Sequence, residues 1–262
     1  MLYLFLLFLI TGAFIGSFLN VLIDRLPRNE SIAKGRSYCE SCKRKLPWYD
    51  LIPLFSFILI KGKCRRCRTS LSLYYPIVEL TTGVLFTLTF IFLSAINIKY
   101  ELLSMNSIAE LVYYLFLLSA LIVVFFTDLK YGIIPDKIIF PAIFISFIYL
   151  IFQSPDILVS NLLSAMGAFL FFFLIFILTK GKGMGFGDVK LVFLMGIALG
   201  FPNIIIAFYL AFLTGALISL ILVAWGKKKL HGGTIPFGPF LVLGTFLAIF
   251  LGEKIIKFFP LF

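Results

Sequence analysis

LYLFLLFLITGAFIGSFLNVLIDRLPR, residues 2–28, decides the class of fold. No charge falls between residues 2 and 23, and Asp24, Arg25 and Arg28 then close the run. Lipid is crossed by about 20 apolar residues in a helix, so this stretch reads as a membrane span. It lacks the basic leading region and short apolar core of a cleaved secretory signal, and its positive flank lies on the far side. It is expected to be retained, with its N-terminus outside. The same character runs through the chain: 61% of residues are hydrophobic, 13% are charged and mean hydropathy is +1.10. Soluble domains sit near about 45–50% and 25%. A soluble globular fold is excluded, and four cysteines are too few for a disulfide framework.

Seven further apolar runs are bounded by charges or Gly/Pro clusters: 77–96, 108–127, 138–152, 157–179, 189–200, 204–225 and 237–250. The expected fold is an all-α polytopic membrane protein of about eight transmembrane helices with one small polar insert. Three parts follow: a first helix over 1–22, a basic cysteine-bearing insert over 23–75, and a membrane-embedded bundle over 76–262. The runs 138–152 and 189–200 are short for a 30 Å core, which predicts bilayer thinning or shielding by neighbours. Both begin beside acidic residues, which points to a wet cavity at one face.

The net charge of +11 would suggest nucleic acid in a soluble protein. Here twelve of the 23 Lys/Arg lie between Ile23 and Tyr75, without the aromatic interleaving of single-strand binders. The positive-inside rule accounts for them, and no nucleic-acid partner is expected. Alternating the spans places the insert and the connections 128–137, 180–188 and 226–236 on the cytoplasmic side. Twenty Lys/Arg then lie inside, against Lys99, Lys254 and Lys257 outside.

Cys39-x-x-Cys42 and Cys64-x-x-Cys67 stand in the insert. Two such knuckles supply the four thiolates of a closed structural Zn²⁺ site, and basic neighbours should favour the thiolate form. Four sulfur ligands leave no open position for catalysis. The single histidine, His231, reads as a solvated loop residue.

The acids carry the chemical signal, because ionisable groups in or beside membrane spans are costly. Asp136, after Pro135, reads as the N-cap of the fourth run. Glu79 reads as satisfying a helix end or pairing with a loop arginine. Asp128 closes the third run at the negative end of its dipole, where a Lys or Gly terminator would be normal. Asp188 lies in Gly183-Met184-Gly185-Phe186-Gly187-Asp188-Val189-Lys190 at the start of the sixth. Gly196 and Gly200 form a small-residue face for close packing of that helix, which would help to bring Asp188 towards Asp128. Two carboxylates in contrasting surroundings can divide acid and base roles around one water. Asp188 is the expected base and Asp128 the expected acid.

With these residues stand Gly16-Ser17-Phe18-Leu19-Asn20-Val21-Leu22-Ile23 with Arg25-Leu26-Pro27, Pro47-Trp48-Tyr49 and Ile52-Pro53 between the cysteine pairs, and Tyr75-Pro76-Ile77-Val78-Glu79-Leu80. Asp128 through Ile134-Pro135-Asp136, Gly185-Phe186-Gly187-Asp188 with Lys190-Leu191, and Pro236-Phe237-Gly238-Pro239-Phe240 complete the set. In this order the chain resembles the bacterial type IV prepilin peptidases. The resemblance implies an aspartyl endopeptidase of the inner membrane, with Asp128 and Asp188 catalytic and Gly185, Gly187, Asp136, Lys190 and Glu79 in support. Its substrates would be prepilins and pseudopilins, cut after a glycine at the end of a basic leader. It also implies N-methylation of the new terminus by S-adenosylmethionine; no G-x-G-x-x-G turn independently marks a site for that donor. A basic leader would need acids along its path, with Asp24, Asp50 and Asp136 as candidates. The alternatives are a peptidase without methyltransferase activity, and a transporter or channel using the same carboxylates, though no internal symmetry between halves supports the latter. A presenilin-type protease shares G-x-G-D but not the cysteine insert.

Overall fold

The computed structural model describes residues 2–97, 105–225 and 236–258. Lys99, Lys227, Lys228, Lys229 and His231 lie outside the described residues. Within them the chain is all-α, with two isolated bridges and no strand. Its helices are α1 (Leu2–Arg25), α2 (Phe55–Leu59), α3 (Tyr74–Asn97), α4 (Met105–Tyr131), α5 (Asp136–Ile151), α6 (Pro155–Leu178), α7 (Phe186–Leu199), α8 (Asn203–Ala224) and α9 (Gly238–Phe258). A 3-10 turn spans Trp48–Leu51.

Each of the eight apolar runs is helical. Five helices are long and apolar enough to cross a membrane unaided: α1, α3, α4, α6 and α8. The others offer shorter apolar stretches, 16 residues in α5, 14 in α7 and Gly238–Gly252 in α9. The chain divides into two compact units, Met1–Val123 and Val124–Phe262.

In the first unit α1 and α3 lie side by side, and small residues set their separation. A Cβ added at Gly12 would stand 2.7 Å from the Gly83 Cα, and one at Gly83 would stand 2.7 Å from the Leu9 carbonyl oxygen. At Gly16 the obstacle is the Glu79 Cα, 2.8 Å away. Where lipid is as apolar as leucine, such close backbone approach is what holds helices together. Two hydrogen bonds join the chain at this seam: Asn20 Nδ2 donates to the Tyr75 carbonyl at 3.1 Å, and the Tyr75 hydroxyl to Asp24 at 3.0 Å. At the end of α1 the buried Arg25 guanidinium donates to the Ser31 and Lys34 carbonyls at 2.8 and 3.2 Å, folding the loop that leads to the first knuckle.

In the second unit α7 is the inner helix. Eight of its 14 residues are buried, from Asp188 to Ile197, and α5, α6 and α9 pack on it. Neighbours rather than lipid therefore enclose this short helix, which is the shielding its length predicted. A Cβ at Gly196 would come within 3.0 Å of both the backbone and the Cβ of Ala165. The small-residue face thus serves α6, where Asn161 Nδ2 also donates to the Ile197 carbonyl at 2.9 Å. Its partner is not the helix bearing Asp128, so the expected role in joining the two aspartates is corrected. Only one stripe of α5 is buried, Ile139, Ala142, Ser146 and Leu150.

Gly83→Leu should overpack the α1–α3 seam at a cost of about 1–3 kcal/mol and lower the melting temperature of the detergent-solubilised protein. Gly167→Leu, which meets open space on α6, should leave it nearly unchanged. Equal melting temperatures for the two variants would refute the seam.

Candidate active site

The α4 helix runs past the apolar stretch to Tyr131, so Asp128 stands in its last turn rather than beyond its end. The terminator is Gly132, at φ +66°, whose N–H donates to the Asp128 carbonyl at 2.9 Å. This left-handed glycine closes the helix in the usual way and frees the Asp128 side chain from any capping duty. The carboxylate is buried, 6% exposed. Its Oδ2 makes no hydrogen bond of ordinary geometry among the described residues, while the Gly238 amide is set beside the carboxylate.

Asp188 enters from the other helix end. The α7 helix starts three residues before the apolar run, at Phe186 with Gly185 as N-cap, and Asp188 occupies the third helical position. Its Oδ2 accepts the Gly185 N–H at 3.2 Å, the carboxylate half of a capping box. Asp188 is 7% exposed and lies within Coulombic reach of Asp128. The structure thus brings together the two acids singled out in the sequence.

Two further residues hold this meeting in place. Ile134 packs against both glycines: a Cβ at Gly187 would stand 3.0 Å from the Ile134 Cβ, and one at Gly238 would stand 3.3 Å from its Cδ1. At Gly238 the added carbon would also lie 2.6 Å from Asp128 Oδ2. Position 238 must therefore stay bare for the carboxylate to keep its place. Gly238 and Ile134 stand in the motifs that carry the resemblance but without an expected role of their own; the signal at Gly238 is a Gly-Pro pair opening an apolar helix.

Asp136 is not a cap. Pro135 holds the N-cap position of α5 without a side-chain cap bond, and the Asp136 carboxylate pairs with Lys190 of α7. Lys190 also lies over the rings of Phe140 and Phe186, 5.6 and 5.3 Å from their centroids. The pair ties the N-terminal turns of α5 and α7 together beside Asp188. A carboxylate pair of this kind, buried and next to a helix start, can hold a proton on one acid while the other acts as base.

Glu79 belongs to the first unit. Its Oε2 accepts the Leu54 N–H at 2.8 Å, and Leu54 is the N-cap residue of α2. It satisfies a helix end, as expected, but on the insert rather than on its own helix. Of the acids considered for a basic leader, Asp50 is committed to Arg65 at 2.6 Å with its side chain 5% exposed, and Asp24 accepts from Tyr75. Asp136 keeps 56% of its side chain exposed.

The four cysteines converge in the insert, their sulfurs all within 4.8 Å of one another. The two knuckles are built alike. In one, Lys43 N–H donates to the Cys39 carbonyl at 2.8 Å and Cys39 N–H to Arg44 at 3.0 Å; in the other, Arg68 N–H donates to Cys64 and Cys64 N–H to Thr69, both at 2.9 Å. Lys43 and Arg68 turn each knuckle in the left-handed region, at φ 56° and 59°. Tetrahedral metal–sulfur bonds of about 2.3 Å put ligand sulfurs about 3.8 Å apart, and Cys39 and Cys67 stand 3.8 Å apart. The set fits a metal ion. Thiol acidity follows local contacts more than the basic neighbours: burial pushes Cys39 up to about 11, and the Thr69 hydroxyl draws Cys67 down to about 6.

Residues 10–93 match the bacterial peptidase A24 N-terminal domain, and residues 115–220 match the type IV leader peptidase family. Among curated proteins, a prepilin leader peptidase/N-methyltransferase of Bacillus subtilis is 36% identical, over 95% of each chain. One of Legionella pneumophila is 30% identical over 97% of this chain and 94% of its own, and one of Aeromonas salmonicida is 29% identical over 94% and 90%. No solved structure gives a significant match. The cysteines and Glu79 fall in the first matched segment and both buried aspartates in the second. With two matched segments in order and relatives aligned nearly end to end, this chain belongs to the type IV leader peptidase family.

Proposed function

We propose that this protein is an inner-membrane aspartyl endopeptidase that removes the basic leader of a prepilin or pseudopilin after a glycine, and then N-methylates the new terminus. The observation that carries the peptidase reading is the meeting of buried Asp128 and Asp188 at two helix ends. Asp188 acts as base and Asp128 as acid, the division that the first turn of α7 and the last turn of α4 favour. Asp188 takes a proton from water as the water oxygen bonds to the scissile carbonyl carbon. Asp128 gives its proton to the carbonyl oxygen. As the tetrahedral intermediate collapses, Asp188 gives its proton to the amide nitrogen, Asp128 takes one back from a hydroxyl of the intermediate, the C–N bond breaks, and the new carboxyl group remains on the leader. Gly238 and Ile134 hold Asp128 and the α7 start in position, and the Asp136–Lys190 pair orients α7.

Twenty Lys/Arg on one side argue for an outside N-terminus and a site at the cytoplasmic face. A prepilin's apolar helix would lie in the bilayer, bringing its leader junction to that level, and Asp136 is the candidate acid most open to a leader cation. The cysteine cluster supports structural Zn²⁺, held by Cys39, Cys42, Cys64 and Cys67; bound, it would staple a domain too small for its own core. The methyl donor, S-adenosylmethionine, is supported by the relatives' names, and among the described residues no geometry singles out its site.

Asp128→Asn and Asp188→Asn should each lower leader release by at least about 100-fold, followed by the mass of a prepilin incubated with purified enzyme. Retained cleavage in either variant would remove the acid pair from the mechanism. Gly238→Ala should depress kcat while the melting temperature stays close to that of the parent; an unchanged kcat would show that Asp128 tolerates the displacement. Elemental analysis should find one zinc per chain, lost in Cys39→Ser and Cys64→Ser, and a zinc content that survives both changes would place the ion elsewhere.

A further inference from the structure

Between the two knuckles the insert exposes a run of large apolar side chains: Trp48 71%, Tyr49 46%, Leu51 38%, Phe55 58%, Ile58 72% and Leu59 57%. So many exposed large apolar side chains within twelve residues is unusual for a water-facing domain of this size. Its attachment to the membrane helices indicates what covers it. The Leu54 amide donates to Glu79 of α3, and the Ser17 hydroxyl of α1 lies 3.5 Å from the Leu51 carbonyl oxygen. Gly16 and Glu79 face each other across the seam, so both ties fall at one level of the pair. At 1.5 Å per residue that level is about 12 Å along α1 from Arg25. Phe18 on α1 and Ile77 on α3, each at or nearer the insert end of its helix than these ties, are still 54% and 50% exposed. The apolar surface of the spans therefore extends past the points where the insert is fastened.

We propose that the Trp48–Leu59 segment is an interfacial anchor that lies in the headgroup and upper acyl region of an anionic leaflet. Its backbone is partly suited to that medium: the N–H groups of Leu54, Ser56 and Ile58 are bonded within the protein, which lowers the cost of leaving water. A tryptophan and a tyrosine lead it, the residues that favour the headgroup level. Exposed cations flank it on both sides, Lys43, Arg44 and Lys45 before and Lys61, Lys63 and Arg66 after. This is the apolar-plus-basic pattern of segments that rest on anionic lipid.

The chain has two tryptophans, Trp48 and Trp225. Trp225→Phe, a change at an exposed helix end, leaves Trp48 as the sole reporter in the full-length protein. After reconstitution in phosphatidylglycerol-containing vesicles, Trp48 should emit at short wavelength. It should lose most of its emission to lipids brominated near the headgroup, less to deeply brominated ones, and little to aqueous acrylamide. The loss should be smaller in purely zwitterionic phosphatidylcholine vesicles. Quenching by acrylamide alone would place the segment in water and overturn the proposal; protection from both quenchers would overturn it by showing a protein surface over the patch. Equal quenching in the two vesicle types would remove the part given to the cations. Trp225→Tyr, excited selectively at tryptophan, repeats the measurement independently of the phenylalanine substitution.

Discussion

The proposed peptidase chemistry depends on two helices ending at the same place. The last turn of α4 delivers Asp128 and the first turn of α7 delivers Asp188, and both carboxylates are nearly closed to solvent. Burying two acids together is costly unless surrounding groups fix them. Here the fixing groups are modest: a left-handed glycine that ends α4, an amide at the cap of α7, one isoleucine against two glycines, and a salt bridge across the starts of α5 and α7. None is large, yet each constrains a backbone end rather than a flexible side chain. This is how a helical bundle can position two carboxylates without a loop scaffold.

The first unit solves a different problem with the same means. Glycines let α1 and α3 touch, Asn20 ties the start of α3 to α1, and the seam then offers Glu79 and Ser17 as attachment points for chain that is not itself a span. Buried Arg25 gathers the following loop by its carbonyls. The cysteine knuckles close on themselves through their own backbone bonds. A basic insert with little apolar core is thus fastened at a few polar points instead of being packed.

Much of this was legible in the sequence, because lipid imposes a strong local pattern. The eight apolar runs read directly as helices, and Asp128 and Asp188 stood out since acids at such positions are expensive. The cysteine spacing announced a convergent set. What could not be read were contacts between distant segments. Asp136 looked like a cap because it follows a proline, whereas its partner Lys190 lies 54 positions away. Glu79 caps a five-residue helix that has no periodicity to reveal it. Gly238 matters through the Asp128 oxygen beside it; the Gly-Pro pair marks the start of a helix but not which distant side chain lies against it. The end of α4 was misplaced by a few residues because the apolar pattern stops before the hydrogen bonding does.

The enclosure of α7 has a mechanical consequence. Helices in contact with acyl chains answer a change in bilayer thickness by tilting, and those with mostly lipid-facing surface do so at small cost. A 14-residue helix with eight side chains locked among neighbours has no such freedom. Thickness variation would be absorbed by peripheral helices such as α8, much of whose surface faces outward, leaving the register of the inner helix set by protein packing alone. If the proposed acid pair is the hydrolytic centre, a mounting of this kind would insulate it from the composition of the surrounding membrane.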